Sequence, residues 1–166
     1  MSHPGTSRGS GRGRRVRSAA IAAALALAAA GALGGLAGCS SSSGSATSVT
    51  AGPTATAAPA NGAELTPAAF AAALKLPGTV ILDVRTPAEF ASGHLRGAVN
   101  LDIESTGFTA GLAKLAKDAP YAVYCRSGNR SGQALAVMTK SGFTHAYHLG
   151  GGITAWQNAG GEVVTG

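Results

Sequence analysis

Cys125 stands where an apolar run, Tyr121-Ala-Val-Tyr124, gives way to Arg126-Ser127-Gly128-Asn129-Arg130-Ser131-Gly132. Those residue types in that order suit covalent chemistry. Successive backbone N–H groups in a tight turn form a concave anion site, a helix N-terminus adds partial positive charge, and Arg126 and Arg130 add full charges. Each term favours thiolate over thiol, so such a cysteine is nucleophilic near neutral pH and the same groups grip an incoming anion. Ser127, Gly128 and Asn129 are expected to give backbone N–H groups, and Gly128 takes positive φ at no steric cost. Arg130 offers a planar fork that matches an oxyanion, and Arg126 is a second cation whose side chain points either to the ligand or to solvent. The plain alternative for Cys125, a small buried hydrophobe, leaves the glycine, the arginines and the helix start that follow it unexplained.

A cysteine held this way needs a strand before it and a helix after it. Tyr121 to Tyr124 reads as the strand, and Ala134, Leu135, Val137 and Met138 mark the buried face of the helix, which ends at Ser141-Gly142 with Gly142 in the left-handed position. Upstream, Thr66-Pro67 opens a helix carrying Phe70 and Leu74, and Thr79 to Val84 is an apolar, β-branched run that suits a strand buried on both faces. Thr86-Pro87-Ala88-Glu89 has capping-box spacing before a short helix to Ser92. Ala98 to Leu101 reads as a brief strand, Thr109 to Lys117 as a helix, His145 to Leu149 as a strand, Ile153 to Gln157 as a last helix and Glu162 to Val164 as a closing strand. This alternation predicts an α/β domain: a small parallel sheet with helices on both faces, its ligand beyond the carboxyl ends of the strands.

The front of the chain is of another kind. Arg8, Arg12, Arg14, Arg15 and Arg17 precede an Ala-rich apolar run from Ala19 to Leu36, which ends in Leu36-Ala37-Gly38-Cys39. This is a basic region, an apolar region and small residues before a cleavage site. The ending resembles the lipobox of bacterial lipoproteins, which implies lipid attachment at Cys39 and a mature protein exported and anchored to the outer face of the cell membrane. An uncleaved membrane anchor is the competing reading, since the run approaches the roughly 20 residues that span a bilayer. Alanine and glycine make a weak span, and that reading leaves Ala-Gly-Cys unexplained. Arg14-Arg15 leaves the choice between general and twin-arginine export open. The chain therefore divides into a signal peptide (1–38), the lipidated cysteine with a flexible Ser/Thr/Ala/Pro tether (39–62), and a folded domain (63–166).

This division reinterprets charge and cysteine content. The chain carries 13 Lys+Arg against 7 Asp+Glu, but five arginines precede the cleavage site, and the remainder is nearly balanced. The basic excess thus reflects targeting and gives no support to nucleic-acid binding. With Cys39 lipidated, Cys125 is the one remaining thiol of the two cysteines, unusual for an exported protein and sensible where the thiol is used.

From about Glu64 to Val164 the sequence resembles a single rhodanese domain, the sulfurtransferase fold. The resemblance rests on Asp83-Val84-Arg85, Glu89-Phe90, Gly93-His94-Leu95, Gly97-Ala98 with Asn100, Tyr124-Cys125-Arg126-Ser127-Gly128-Asn129-Arg130-Ser131, and Leu149-Gly150-Gly151 with Ala155-Trp156, in that order. Arg96 departs from the proline that many members carry there. The resemblance implies that Cys125 to Arg130 form the active loop. It implies that Cys125 takes a sulfane sulfur from a small anionic donor such as thiosulfate and passes it, as a persulfide, to a thiol or cyanide acceptor, with no cofactor and no metal. Two other functions compete. A phosphatase or arsenate reductase on the same fold is disfavoured by the four residues between Cys125 and Arg130, because related cell-cycle phosphatases use a loop one residue longer. A non-catalytic sulfur- or redox-sensing module is disfavoured by the presence of Cys125.

Asp83 and Arg85 are expected to pair and tie neighbouring loops, with support of the site as the second role. His94, His145 and His148 lack a shared ligand spacing and read as structural.

Overall fold

The computed structural model describes residues 48–166. The expected signal peptide over 1–38, the expected lipidation site Cys39 and the first part of the expected tether lie outside the described residues.

Five strands form one parallel sheet: β1 (Glu64–Leu65), β2 (Val80–Asp83), β3 (Val99–Asn100), β4 (Tyr121–Tyr124) and β5 (Ala146–Leu149), in the order β1-β5-β4-β2-β3. The helices are α1 (Pro67–Leu74), α2 (Pro87–Ser92), α3 (Phe108–Leu112), α4 (Asn129–Lys140) and α5 (Gly152–Asn158). β4 is central and buried at every position, which explains its unbroken apolar run. Its alternate residues face two separate cores. Tyr121, Val123 and Cys125 pack with Phe108, Leu112, Leu135 and Met138, on the side of α3 and α4. Ala122 and Tyr124 pack with Phe70, Leu95, Ile153 and Trp156, on the side of α1 and α5. Phe70 meets Tyr147 and Trp156 edge to face, each with ring centroids 6.2 Å apart, the geometry that the ring quadrupole prefers.

Both expected N-caps are present. The Thr66 hydroxyl accepts from the Ala69 N–H, and Thr86 and Glu89 form a reciprocal capping box. Several expected bounds differ. β1, whose two residues carry no periodicity that would announce a strand, pairs with β5. α3 stops at Leu112, short of Lys117, where the chain tightens into i→i+3 turns at Lys114 and Leu115. The expected strand at Glu162–Val164 is a single antiparallel bridge between Val164 and His94.

The described part of the expected tether corrects that reading, because it lies on the domain. The Val49 N–H donates to the Ala159 carbonyl (3.3 Å), Ala55 to Ala72 (3.0 Å) and Gly62 to Ala146 (2.6 Å). Val49 packs against the Trp156 core, and Lys75 donates to the Gly52 carbonyl. Asn61 bridges the start of β5, accepting from the Ala146 N–H (2.8 Å) and donating to the Phe143 carbonyl (3.3 Å). Small residues permit this close approach of two backbones. The same composition, read alone, gives too little side-chain area to predict it.

Candidate active site

β4 delivers Cys125 to the carboxyl edge of the sheet, and the chain turns there into the N-terminus of α4. Gly128, at φ +96°, is the residue that makes the turn. Its N–H donates to the Cys125 Sγ at 3.1 Å. A Cβ at Gly128 would come within 3.2 Å of the Gly151 nitrogen, so close approach and backbone conformation both call for glycine.

Burial of the thiol works against its charged form. Hydrogen bonds from the Ser131 hydroxyl and from the N–H groups of Ser131, Ser127 and Gly128 outweigh it and bring the thiol below its ordinary value. The sulfur thus sits at the floor of a ring of donors, with Cys125 1% exposed.

The opening turn of α5 braces this ring from behind. Ile153 donates its N–H to the Cys125 carbonyl (2.8 Å), and the Arg126 carbonyl accepts from the Thr154 N–H (3.3 Å) and hydroxyl (3.0 Å). Two carbonyls that would otherwise compete for the loop are thereby held by α5. Gly152 (φ +59°) lies so close that a Cβ would overlap the Cys125 carbonyl oxygen and sit 2.5 Å from the Arg126 carbonyl carbon. The glycine triplet is therefore a backing plate for the loop.

Arg130, the expected oxyanion fork, is paired with carboxylates. Its Nη1 donates to Glu89 (2.8 Å) and Glu104 (2.9 Å), and its Nη2 to Glu89 (2.7 Å). Two carboxylates thus engage one guanidinium and would compete with an incoming anion for it. Arg130 clamps α4 to α2 and to the Glu104 loop. Arg126, by contrast, is exposed at the loop and makes no ion pair among the described residues. Ser127 and Asn129 are also exposed, and Asn129 Oδ1 accepts from Gln133 one turn along α4 (2.6 Å).

Asp83 and Arg85 form a buried pair (2.6 Å) on the α1 and α5 side of the sheet. Arg85 also donates to the Gly93 carbonyl (2.7 Å) and lies 5.6 Å from the Tyr124 ring centroid. Asn100 donates to the carbonyls of both residues, at 3.0 and 2.8 Å. The pair ties the loops after β2 and α2 to β3. Among the histidines, His94 stacks on Phe90 (3.9 Å between ring centroids), His145 is exposed, and His148 lies 3.0 Å from the Ser131 hydroxyl. Sequence reasoning assigned no site role to Ser131, His148, Glu89 or Glu104. The alternation along β5 carries the signal for His148, since it places Ala146 and His148 on the Cys125 side of the sheet.

A strand, a six-residue loop from Cys125 to Arg130 and a bracing glycine turn are the parts of one known arrangement. The model of the Rhodanese-like domain family matches residues 66–159, more than half of the chain. This chain belongs to the rhodanese family. Its rhodanese domain is 43% identical over 76 residues to the probable adenylyltransferase/sulfurtransferase MoeZ of Mycobacterium tuberculosis, a match covering 46% of this chain but only 19% of that protein. It is 39% identical over 88 residues to the thiosulfate sulfurtransferase GlpE of Pseudomonas entomophila, covering 53% of this chain and 79% of GlpE. Among solved structures, a rhodanese-related protein from Thermoplasma volcanium superposes with a TM-score of 0.57 at 29% identity, over 63% of this chain and 99% of that one.

Two outcomes test this geometry. Gly152→Ala is expected to destabilise the rhodanese domain by about 2–4 kcal/mol in urea unfolding, from positive φ plus overlap with the loop carbonyls. It should also slow iodoacetamide alkylation of Cys125, because the loop N–H groups lose their aim. The second concerns Glu89, whose carboxyl the Arg130 hydrogen bonds, against burial and with help from Thr86, hold down to about 2. A carboxyl lowered on folding stabilises the fold above its ordinary value of 4.5 and loses that contribution as pH falls toward about 2. Glu89→Gln keeps the capping box and removes the charge, so its Tm should lie below wild type at pH 6 and converge on it near pH 2.

Proposed function

We propose that this chain is a sulfurtransferase that carries a sulfane sulfur on Cys125. The observation that supports it best is the ring of N–H groups and the Ser131 hydroxyl around a thiol whose titration they lower. The Cys125 thiolate attacks the outer sulfur of a thiosulfate-like donor, the S–S bond breaks with its electron pair on sulfite, and Cys125 is left as a persulfide. A thiolate or cyanide acceptor then attacks the outer sulfur and restores the Cys125 thiolate. Charge balances in each step, and neither needs an oxidant or a general base. The ring of donors stabilises the sulfur anion before and after transfer. Arg126, the exposed cation at the loop, steers the anionic donor and holds its oxygens in place of Arg130. Similarity to the probable adenylyltransferase/sulfurtransferase MoeZ and to the thiosulfate sulfurtransferase GlpE supports this reading. Thiosulfate alone should add one sulfur atom to Cys125, seen by mass analysis of the peptide that carries it. Thiocyanate production from thiosulfate and cyanide should be ping-pong, and Cys125→Ser should lower kcat by roughly 10³-fold or more. Turnover without the sulfur adduct would exclude the persulfide route.

For its address, the basic start, the apolar run and Leu36-Ala37-Gly38-Cys39 support export and lipid anchoring to the outer face of the membrane. Cys39→Ala should leave uncleaved precursor that takes up no labelled fatty acid. An unchanged, processed and membrane-bound product from the variant would refute the anchor.

A further inference from the structure

Three side chains outside the active loop line up behind its sulfur. Strand register sets the first two: Glu64 of β1 lies opposite His148 of β5, and His148 lies opposite Val123 of β4, two residues before Cys125 on the same face. The His148 Nε2 is 3.3 Å from the Glu64 carboxylate, and its Nδ1 is 3.0 Å from the Ser131 Oγ. Ser131 is fully buried in the first turn of α4. Its hydroxyl has one hydrogen, lies 3.0 Å from both the Gly128 carbonyl and the His148 Nδ1, and is among the groups that bring the Cys125 thiol below its ordinary value.

A hydroxyl gives its hydrogen to one acceptor at a time. Neutral His148 with its proton on Nε2, toward Glu64, presents Nδ1 as an acceptor, which draws the Ser131 hydrogen away from the sulfur. Imidazolium presents a donor at Nδ1, which occupies the Ser131 oxygen and releases the Ser131 hydrogen toward the loop. We propose that Glu64, His148 and Ser131 are positioning residues that couple the ionisation of His148 to the nucleophilicity of Cys125, by deciding which atom receives the Ser131 hydrogen. The inference builds on the reading of Cys125 as the attacking thiolate.

The surroundings fit such a device. Burial holds the imidazole below its ordinary value while the Glu64 carboxylate opposes that shift, so a fall in pH is what charges His148. The Glu64 side chain is 69% exposed and opens the array to solvent at its outer end. Other groups face His148 from α4: Gly132, where a Cβ would lie 3.6 Å from the ring, and the cation Lys140, which lines the same surface pocket. Imidazolium formation thus has one carboxylate in favour, one ammonium nearby, and the thiolate on the far side of Ser131.

The test is the pH dependence of iodoacetamide alkylation at Cys125 in the full-length protein, read on the Cys125 peptide. Wild type should show two inflections, the lower one belonging to His148. His148→Gln should leave a single inflection and reduce the alkylation rate at pH 5 about three- to tenfold, the equivalent of a shift of roughly 0.5–1 pH unit. Glu64→Gln changes only an exposed side chain and so leaves folding intact. It should move the lower inflection down by roughly 0.2–0.7 pH unit, the range of an exposed ion pair. Coupling is reciprocal, so the His148 ring resonance in the NMR spectrum should titrate at lower pH in Cys125→Ser than in wild type. A single inflection in wild type that His148→Gln leaves unchanged, or a His148 titration indifferent to Cys125→Ser, overturns the proposal. Neither readout uses a sulfur donor: coupling without a persulfide sustains this inference while refuting the sulfurtransferase reading, and a persulfide without coupling does the reverse.

Discussion

The site depends on where two carbonyl groups point. In a tight loop each peptide turns either its N–H or its oxygen inward, and an oxygen facing the sulfur would repel the thiolate. The first turn of α5 removes that choice by hydrogen bonding the carbonyls of Cys125 and Arg126 from behind. The N–H groups of Ser127, Gly128 and Ser131 then act on the sulfur and overcome the penalty of burying its charge. Gly152 is required because the brace works only at a distance where a side chain has no room.

A second constraint fixes the far side of the loop. Arg130, in the first turn of α4, is held by Glu89 of α2 and by Glu104, so the helix whose N-terminus faces the sulfur cannot drift from the sheet edge. This division of labour separates the two arginines. The inner one is neutralised by carboxylates and gives geometry. Arg126, exposed and in no ion pair among the described residues, keeps an uncompensated charge at the loop. Around both, the sheet supplies rigidity: every residue of β4 is buried, and its neighbours β2 and β5 pair with it in parallel.

Much of this was legible in the sequence, and the remainder failed for identifiable reasons. The apolar run into Cys125, the capped starts at Thr66 and Thr86, and the positive φ at Gly128 and Gly142 are local features, governed by residues within a few positions of one another. The ion pairing of Arg130 was hidden because its partner Glu89, 41 residues away, already had a complete explanation in the capping box. Glu89 serves both, with its Oε2 accepting from Thr86 and Arg130 alike. β1 escaped because two residues show no period, and the packed segment from Ser48 to Asn61 escaped because backbone groups do much of the holding, with Val49 and Asn61 adding side-chain anchors that composition does not single out.

Parallel pairing also explains why chemistry concentrates on one face of one edge. In a parallel sheet, adjacent strands present equivalent residues to the same side, so a period of two along β4 and β5 carries Cys125 and His148 to the α4 face together. Glu64 joins them because β1 pairs with β5 in the register that sets it opposite His148. A one-residue slip of β5 would turn His148 into the apolar core of Tyr124 and Trp156, where an imidazole has no partner, and would bring Tyr147 or Leu149 against Ser131. The burial of Tyr147 and Leu149 on the opposite face therefore holds His148 in place. The hydrophobic pattern that stabilises the fold and the polar array behind the nucleophile are set by the same register, and neither can shift without the other.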